Sequence, residues 1–246
     1  MAFWPPLTFH PIALAASRAA SVVLITFAAG CTVAGAPAPG TTASVPSLAD
    51  TKRQVAEYVD SGRYAADIAD TVTQARSYLA ARRARGGKLA IVLDIDETSL
   101  SNLPALRAND YGFIVPGPCA DLPRGPCGFL AWVMLARAEP IKPVLELTRF
   151  AREQGVAVFF LTGRPERLRA ATEANLKAAG YEWTGALLKP DALNTPSAVD
   201  FKAAERKKLV GQGYVIVVNM GDQMSDLDGG HAERMYKLPN PFYFVP

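Results

Sequence analysis

LAIVLDIDET, Leu89 to Thr98, opens on five consecutive apolar residues and closes on three acids and a threonine. A short β-prone run with no polar alternation, entered from Gly86-Gly87, reads as a strand buried on both faces of a parallel sheet. The same pattern recurs at VAVFFLTGR, Val156 to Arg164, and at YVIVVNMGD, Tyr214 to Asp222, with a weaker strand at Trp183 to Leu188. Helical spacing fills the intervals, at Pro143 to Gln154, Pro165 to Ala179 and Val199 to Gln212. Strand and helix in alternation predict an α/β fold with a doubly wound parallel sheet. Upstream, Val55, Tyr58 and Val59, then Ile68, Val72, Ala75 and Leu79, recur three and four apart, and Gly62 separates two helices of an N-terminal helical extension.

One interval breaks the rhythm. The chain between Asp94 and Val156 is far longer than a strand-helix-strand unit of about 30 residues requires. A small insertion at about 101–139 is implied after the first motif strand, carrying Tyr111, Phe113, Phe129 and Trp132. It leaves the sheet at the C-terminal ends of the strands, where such folds bind ligands, and reads as a cap. Its aromatics form either the cap's own core or a platform for a nucleobase.

Each apolar strand runs directly into a polar cluster: Asp94, Asp96, Glu97 and Thr98, then Thr162, Gly163 and Arg164, then Asp222, Ser225 and Asp226. Parallel strands bring those ends together. Four aspartates converging in one place repel one another unless a cation lies among them, and an oxygen-only donor set favours Mg²⁺. A phosphate needs a hydroxyl, supplied by Thr162, and a cation; Lys202, with Arg206 four positions on along the same helix face, is the better-placed lysine and Lys189 the other.

Composition excludes other chemistries. Lysine and arginine outnumber acids by 26 to 23 without forming a basic stripe, so nothing points to a nucleic-acid polymer as partner. Of two histidines, His10 falls in a segment read as removed, leaving His231 alone. Histidine-nucleophile phosphatases, zinc hydrolases with several imidazoles and Ser-His-Asp hydrolases require more.

After Arg18 comes AASVVLITFAAG, an apolar run too short to span a bilayer and suited to the h-region of a secretory signal. Gly30 before Cys31 resembles a bacterial lipoprotein signal, although Ala28 stands where leucine is usual. The expected organisation is a signal peptide at 1–30, a flexible Ala/Pro/Gly/Thr-rich tether at 31–47 and a catalytic domain at 48–246. Cys31 is the candidate lipidation site, which would anchor an exported protein to a membrane, periplasmic or on the outer membrane of a bacterium; a simply cleaved signal or an uncleaved anchor would also export the chain. Cys119 and Cys127 remain, in a Pro/Gly-rich loop, where export makes a disulfide the expected structural pairing. Four residues separate Cys119 from Arg124, one fewer than a tyrosine-phosphatase loop needs.

DIDETSLSNLP at 94–104, FLTGR at 160–164, FKAAER at 201–206 and GDQMSDL at 221–227, in that order, resemble the four motifs of haloacid dehalogenase superfamily phosphatases. The glutamate of DIDET and the ending KLPNPFY are similar to the acid phosphatases of subfamily IIIB, which include plant vegetative storage proteins and bacterial class C lipoprotein acid phosphatases. Gln223 and Ser225 give the last motif a plant-like form. The resemblance implies a phosphomonoesterase with Asp94 as nucleophile and Asp96 as acid, then base. It implies Mg²⁺ held by Asp94, Asp222 and the main-chain carbonyl of Asp96, with Asp226 orienting bound water. Thr162, Gly163 and Lys202 would bind the phosphate. A phosphate dianion with Asp94 and Asp222 outweighs Mg²⁺ with Lys202, which would press Asp96 to keep its proton. Two alternatives stay open: a storage or phosphate-binding protein of the same fold with little turnover, and a phosphotransferase.

Overall fold

The computed structural model describes residues 45–191 and 197–245. The expected signal peptide, Cys31 and all but the last three residues of the expected tether lie outside the described residues. No helix among those described is long and apolar enough to cross a membrane.

Two helices come first, α1 (Leu48–Asp60) and α2 (Arg63–Arg82). Ser47 caps α1 by accepting a hydrogen bond from the Asp50 amide, and Gly62, at φ +81°, makes the left-handed turn into α2 that a side chain would resist. The body then follows: β1 (Leu89–Leu93), β2 (Leu100–Ser101), α3 (Leu103–Ala108), α4 (Phe129–Leu135), β3 (Glu139–Pro140), α5 (Lys142–Glu153), β4 (Ala157–Pro165), α6 (Arg169–Ala178), β5 (Gly185–Lys189), α7 (Ala198–Gly211), β6 (Val215–Gly221), α8 (Met224–Leu227) and β7 (Met235–Lys237). Strands β5, β4, β1, β6 and β7 pair in that spatial order, all parallel. The sheet order thus reverses about β1, and all five β1 residues are buried because both faces of the strand are covered. Ile91 and Leu93 join the larger core with Val72, Leu79 and Leu147 of α2 and α5, while Ala90 and Val92 meet Phe201 and Leu209 of α7.

Register does the positioning. Leu93 aligns with Phe160 on one side and Met220 on the other, so Asp94, Thr162 and Asp222 all emerge within two residues of the same level. The weak strand lies at Gly185–Lys189, two positions later than its apolar pattern suggested, and β7 was not anticipated: three residues with only Tyr236 buried carry no strand signal.

The segment between β1 and α5 is closed at its neck by the antiparallel pair Leu100↔Pro140 and Ser101↔Glu139. Ala105, Cys119, Cys127, Trp132 and Ala138 belong to the same core as β1 and α5, so the segment is packed into the body and is not a separately cored lid. Cys119 is bonded to Cys127.

Arg206 does not reach the phosphate side as its place four residues after Lys202 suggested. It is fully buried and donates to the carbonyls of Asp226 at 2.6 Å and Gly230 at 2.9 Å, and also to that of Asp228, clamping the loop after β6. Replacing it by methionine keeps the stem and orphans those carbonyls. Arg206→Met is expected to lower the unfolding free energy by about 3 kcal/mol in urea titrations; an unchanged midpoint would show that the clamp contributes nothing.

Candidate active site

Because three strands end at one level, the carboxylates after β1 and β6 converge at the floor of a cavity of about 200 Å³. Asp94, Asp222 and Asp226 are all buried, and each offers an oxygen within 4.8 Å of the others. Lys202, also buried, reaches across from α7 and donates to Asp94 Oδ1 at 2.6 Å and to Asp226 Oδ1. Lys189, at the end of β5, does not line this cavity.

Each carboxylate is held by named donors. Asp222 accepts from Thr98 Oγ1 at 3.1 Å on Oδ1, and from Gln223 Nε2 at 2.7 Å and Asn240 Nδ2 at 2.6 Å on Oδ2. Asp226 accepts the amide of Gln223 on Oδ2 at 2.8 Å. Gly221 is required here, because a β-carbon at that position would lie 2.3 Å from the Asp226 Cβ. Ser99 Oγ donates to the Asp94 carbonyl at 2.6 Å. Thr162 is buried beside them, its hydroxyl accepting the Arg164 amide at 3.1 Å, and Gly163 stands exposed at the rim.

Asp96 lines the same cavity but is held by different donors. Arg164, nearly fully buried, donates to its Oδ1 from Nη2 at 2.7 Å and to its Oδ2 from Nε at 3.0 Å, and Asn102 Nδ2 adds 2.8 Å to Oδ1. Counting Lys202 as the site's protein cation therefore left out a second one. The omission had a partial counterweight, since Glu97 is a further buried acid, accepting from Asn102 and from the Tyr243 hydroxyl. Arg164 could have been found from sequence, as a cation two residues after Thr162 facing a cluster of acids. Asn240 and Tyr243 lie inside the quoted ending KLPNPFY, but nothing in that run says which acid either one meets.

Electrostatics follow from burial. Desolvation pushes Asp94 well above the usual carboxylate range against the pull of Lys202, and pushes Asp222 up to about 6 and Glu97 up to about 8. Burial opposes the Lys202 ammonium, but Asp94 and Asp226 outweigh it and its pKa rises. Three buried carboxylates beside one ammonium, which pairs with Asp94 and Asp226 only, leave an excess of negative charge that a divalent cation would balance, and the ligand atoms they offer are all oxygen. Asp226, expected to orient bound water, brings its carboxylate within 4.8 Å of those of Asp94 and Asp222. Arg164 and Asn102 hold the Asp96 side chain, so its main-chain carbonyl is the group it would offer a cation.

The cavity's other wall is aromatic. Phe113 stacks at 4.5 Å on Tyr243 and lies 5.2 Å from Phe129, and all three line the space above the acids. Trp132 is buried, and Tyr111 stacks on Phe242. Ser225 borders the cavity; His231 is exposed in the loop before β7.

A parallel sheet with an aspartate pair one residue apart after β1, a Thr-Gly after β4, an inward lysine and a Gly-Asp after β6 define a hydrolase of the haloacid dehalogenase type. The family model described as HAD superfamily, subfamily IIIB (acid phosphatase) matches residues 37–246, and the chain belongs to that family of phosphomonoesterases. The stem 28 kDa glycoprotein of Glycine max is 38% identical over 193 residues, 77% of this chain and 72% of that protein. Acid phosphatase 1 of Solanum lycopersicum is 36% identical, over 65% of this chain and 60% of that protein. The class C acid phosphatase from Bacillus anthracis shares the fold, with a TM-score of 0.62 at 24% identity over 79% of this chain and 86% of that one.

Gly221→Ala is expected to displace Asp226 and lower phosphatase activity by about 100-fold, the cost of misplacing a site group by about an ångström. Near-normal activity in a folded Gly221→Ala protein would show that Asp226 need not lie where it does.

Proposed function

We propose that the protein is an exported, Mg²⁺-dependent acid phosphatase that cleaves small phosphomonoesters through an aspartyl-phosphate. The observation that carries this reading is the contact of Lys202 with both Asp94 and Asp226 beside Asp222, three buried acids around one ammonium. Asp94, Asp222 and the main-chain carbonyl of Asp96 would hold Mg²⁺, with Asp226 beside them; when bound, the ion supplies charge that offsets the carboxylates and the phosphate oxygens.

The chain's own groups account for the remaining chemistry. Lys202 screens Asp94 from the incoming dianion, so that a carboxylate oxygen can approach phosphorus in line. Thr162 and the Gly163 amide hold the phosphoryl oxygens. As the bond from Asp94 to phosphorus forms and the bond to the leaving oxygen breaks, Asp96 gives that oxygen its proton. Asp96 Oδ1 is taken up by Asn102 and Arg164 Nη2, whereas Oδ2 receives only Arg164 Nε at 3.0 Å, so Oδ2 has the capacity to carry the proton. The same carboxylate then accepts a proton from the water that opens the acyl phosphate. A storage protein with little turnover is the second reading, supported by the likeness to Vegetative storage protein 1 of Arabidopsis thaliana, 34% identical over 63% of this chain; the presence of Asp94, the group such a protein would be free to lose, speaks for turnover.

Asp94→Asn is expected to lose activity by several powers of ten, since the covalent route disappears, and exhaustive chelation should abolish turnover with recovery on adding Mg²⁺. Near-normal turnover of purified Asp94→Asn would overturn the mechanism, and indifference to chelation would overturn the metal.

Export rests on the apolar run after Arg18, and the final compartment on Gly30-Cys31 alone, because the relatives named include plant proteins as well as a bacterial fold neighbour. Acylation of Cys31 with more than one chain would anchor the protein firmly. Expressed in a Gram-negative host, wild type should partition with membranes and Cys31→Ser should be released or unprocessed; a soluble wild type whose N-terminus lies elsewhere would support simple secretion.

A further inference from the structure

Asn102 links the two acids five and six residues before it to Trp132, thirty residues on. Its amide N–H donates to Glu97 Oε1 at 2.7 Å, and its Nδ2 donates to Glu97 Oε2 at 3.0 Å and to Asp96 Oδ1 at 2.8 Å. Its Oδ1 accepts the indole N–H of Trp132, on α4, at 2.8 Å. An indole nitrogen can only donate and a carboxylate only accept, so the amide has one admissible orientation, with oxygen toward α4 and nitrogen toward the acids. Asn102 and Trp132 are both buried, at 3% exposure each, so water does not substitute for either contact. Glu97 anchors the arrangement: it is buried, left-handed at φ +49°, and bonded through its carboxylate to Tyr243 from the chain's end.

We propose that Asn102 is a positioning residue for proton transfer, which locks the Asp96 carboxyl in one rotation and is itself locked by Trp132. Resting on the reading of Asp96 as the acid, the proposal gives Asn102 a specific task. Arg164 alone contacts both oxygens and permits the carboxyl to exchange them; the second donor on Oδ1 removes that symmetry and keeps the proton-bearing position on Oδ2. The insertion thereby acts on the chemistry through a side chain that does not line the cavity above the acids.

The test compares kcat/KM on an alkyl phosphate, glycerol 2-phosphate, with that on p-nitrophenyl phosphate, whose leaving group departs without a proton. Asn102→Ala is expected to lower the alkyl value by about 100-fold and the aryl value by less than about threefold, the cost of a misplaced acid. Trp132→Phe, which removes only the indole donor, should show the same bias at about tenfold. A merely structural loss lowers both substrates together, and equal losses in both variants would overturn the proposal. If Asn102→Ala does not fold, Trp132→Phe decides: a wild-type ratio of the two substrates overturns it. Asp96→Asn separates the two levels of the argument. Bias in Asp96→Asn without bias in the Asn102 and Trp132 variants sinks the positioning role alone; no bias in Asp96→Asn sinks the reading of Asp96 as the acid.

Discussion

A buried concentration of negative charge is the constraint around which this molecule is built. Taking a carboxylate out of water costs several kcal/mol unless it is paired and hydrogen-bonded, and here five acids are gathered within or beside one cavity. Lys202 answers two of them and Arg164 a third, and Asp222 is met by three neutral donors instead of a cation. The excess that remains suits the floor to a divalent cation, and burial drives Asp94 and Asp222 above the usual carboxylate range.

Supporting such a floor recruits residues from well outside the strand ends. Arg206 spends its guanidinium on the carbonyls after β6, which holds the loop that presents Asp226. The C-terminal tail returns across the site, where Asn240 steadies Asp222 and Val245 donates its amide to Gln223. The insertion approaches from the other side and shares the main core, so Phe113 and Phe129 are held against Tyr243 as an aromatic wall facing the acids. In the proposed reading the polar floor would take the phosphoryl group and the aromatic wall the organic group that bears it.

Much of this was legible before any coordinates. Apolar runs ending in acids identified the strands and their chemical ends, because a parallel strand covered on both faces has no room for polar alternation. Asp94, Asp96, Asp222 and Asp226 were found as strand-end acids, and Lys202 was preferred to Lys189 on helix position. The short strand β7 escaped notice, since it is held by pairing with β6 and not by an apolar pattern of its own. Arg164 lay inside a quoted motif but had been given no partner.

Sequence by itself determined the class of fold, the order of the polar clusters along the chain and the oxygen-only character of the site, since these depend on local composition and period. Tertiary structure alone decided the pairings: Arg164 on Asp96, Asn102 between Trp132 and the acids, Asn240 on Asp222, and Arg206 turned to the loop carbonyls. The physical reason is that a hydrogen bond is set by angle and distance between groups as far apart in sequence as Tyr243 and Glu97, 146 positions, and no local pattern encodes which of several equivalent donors arrives first.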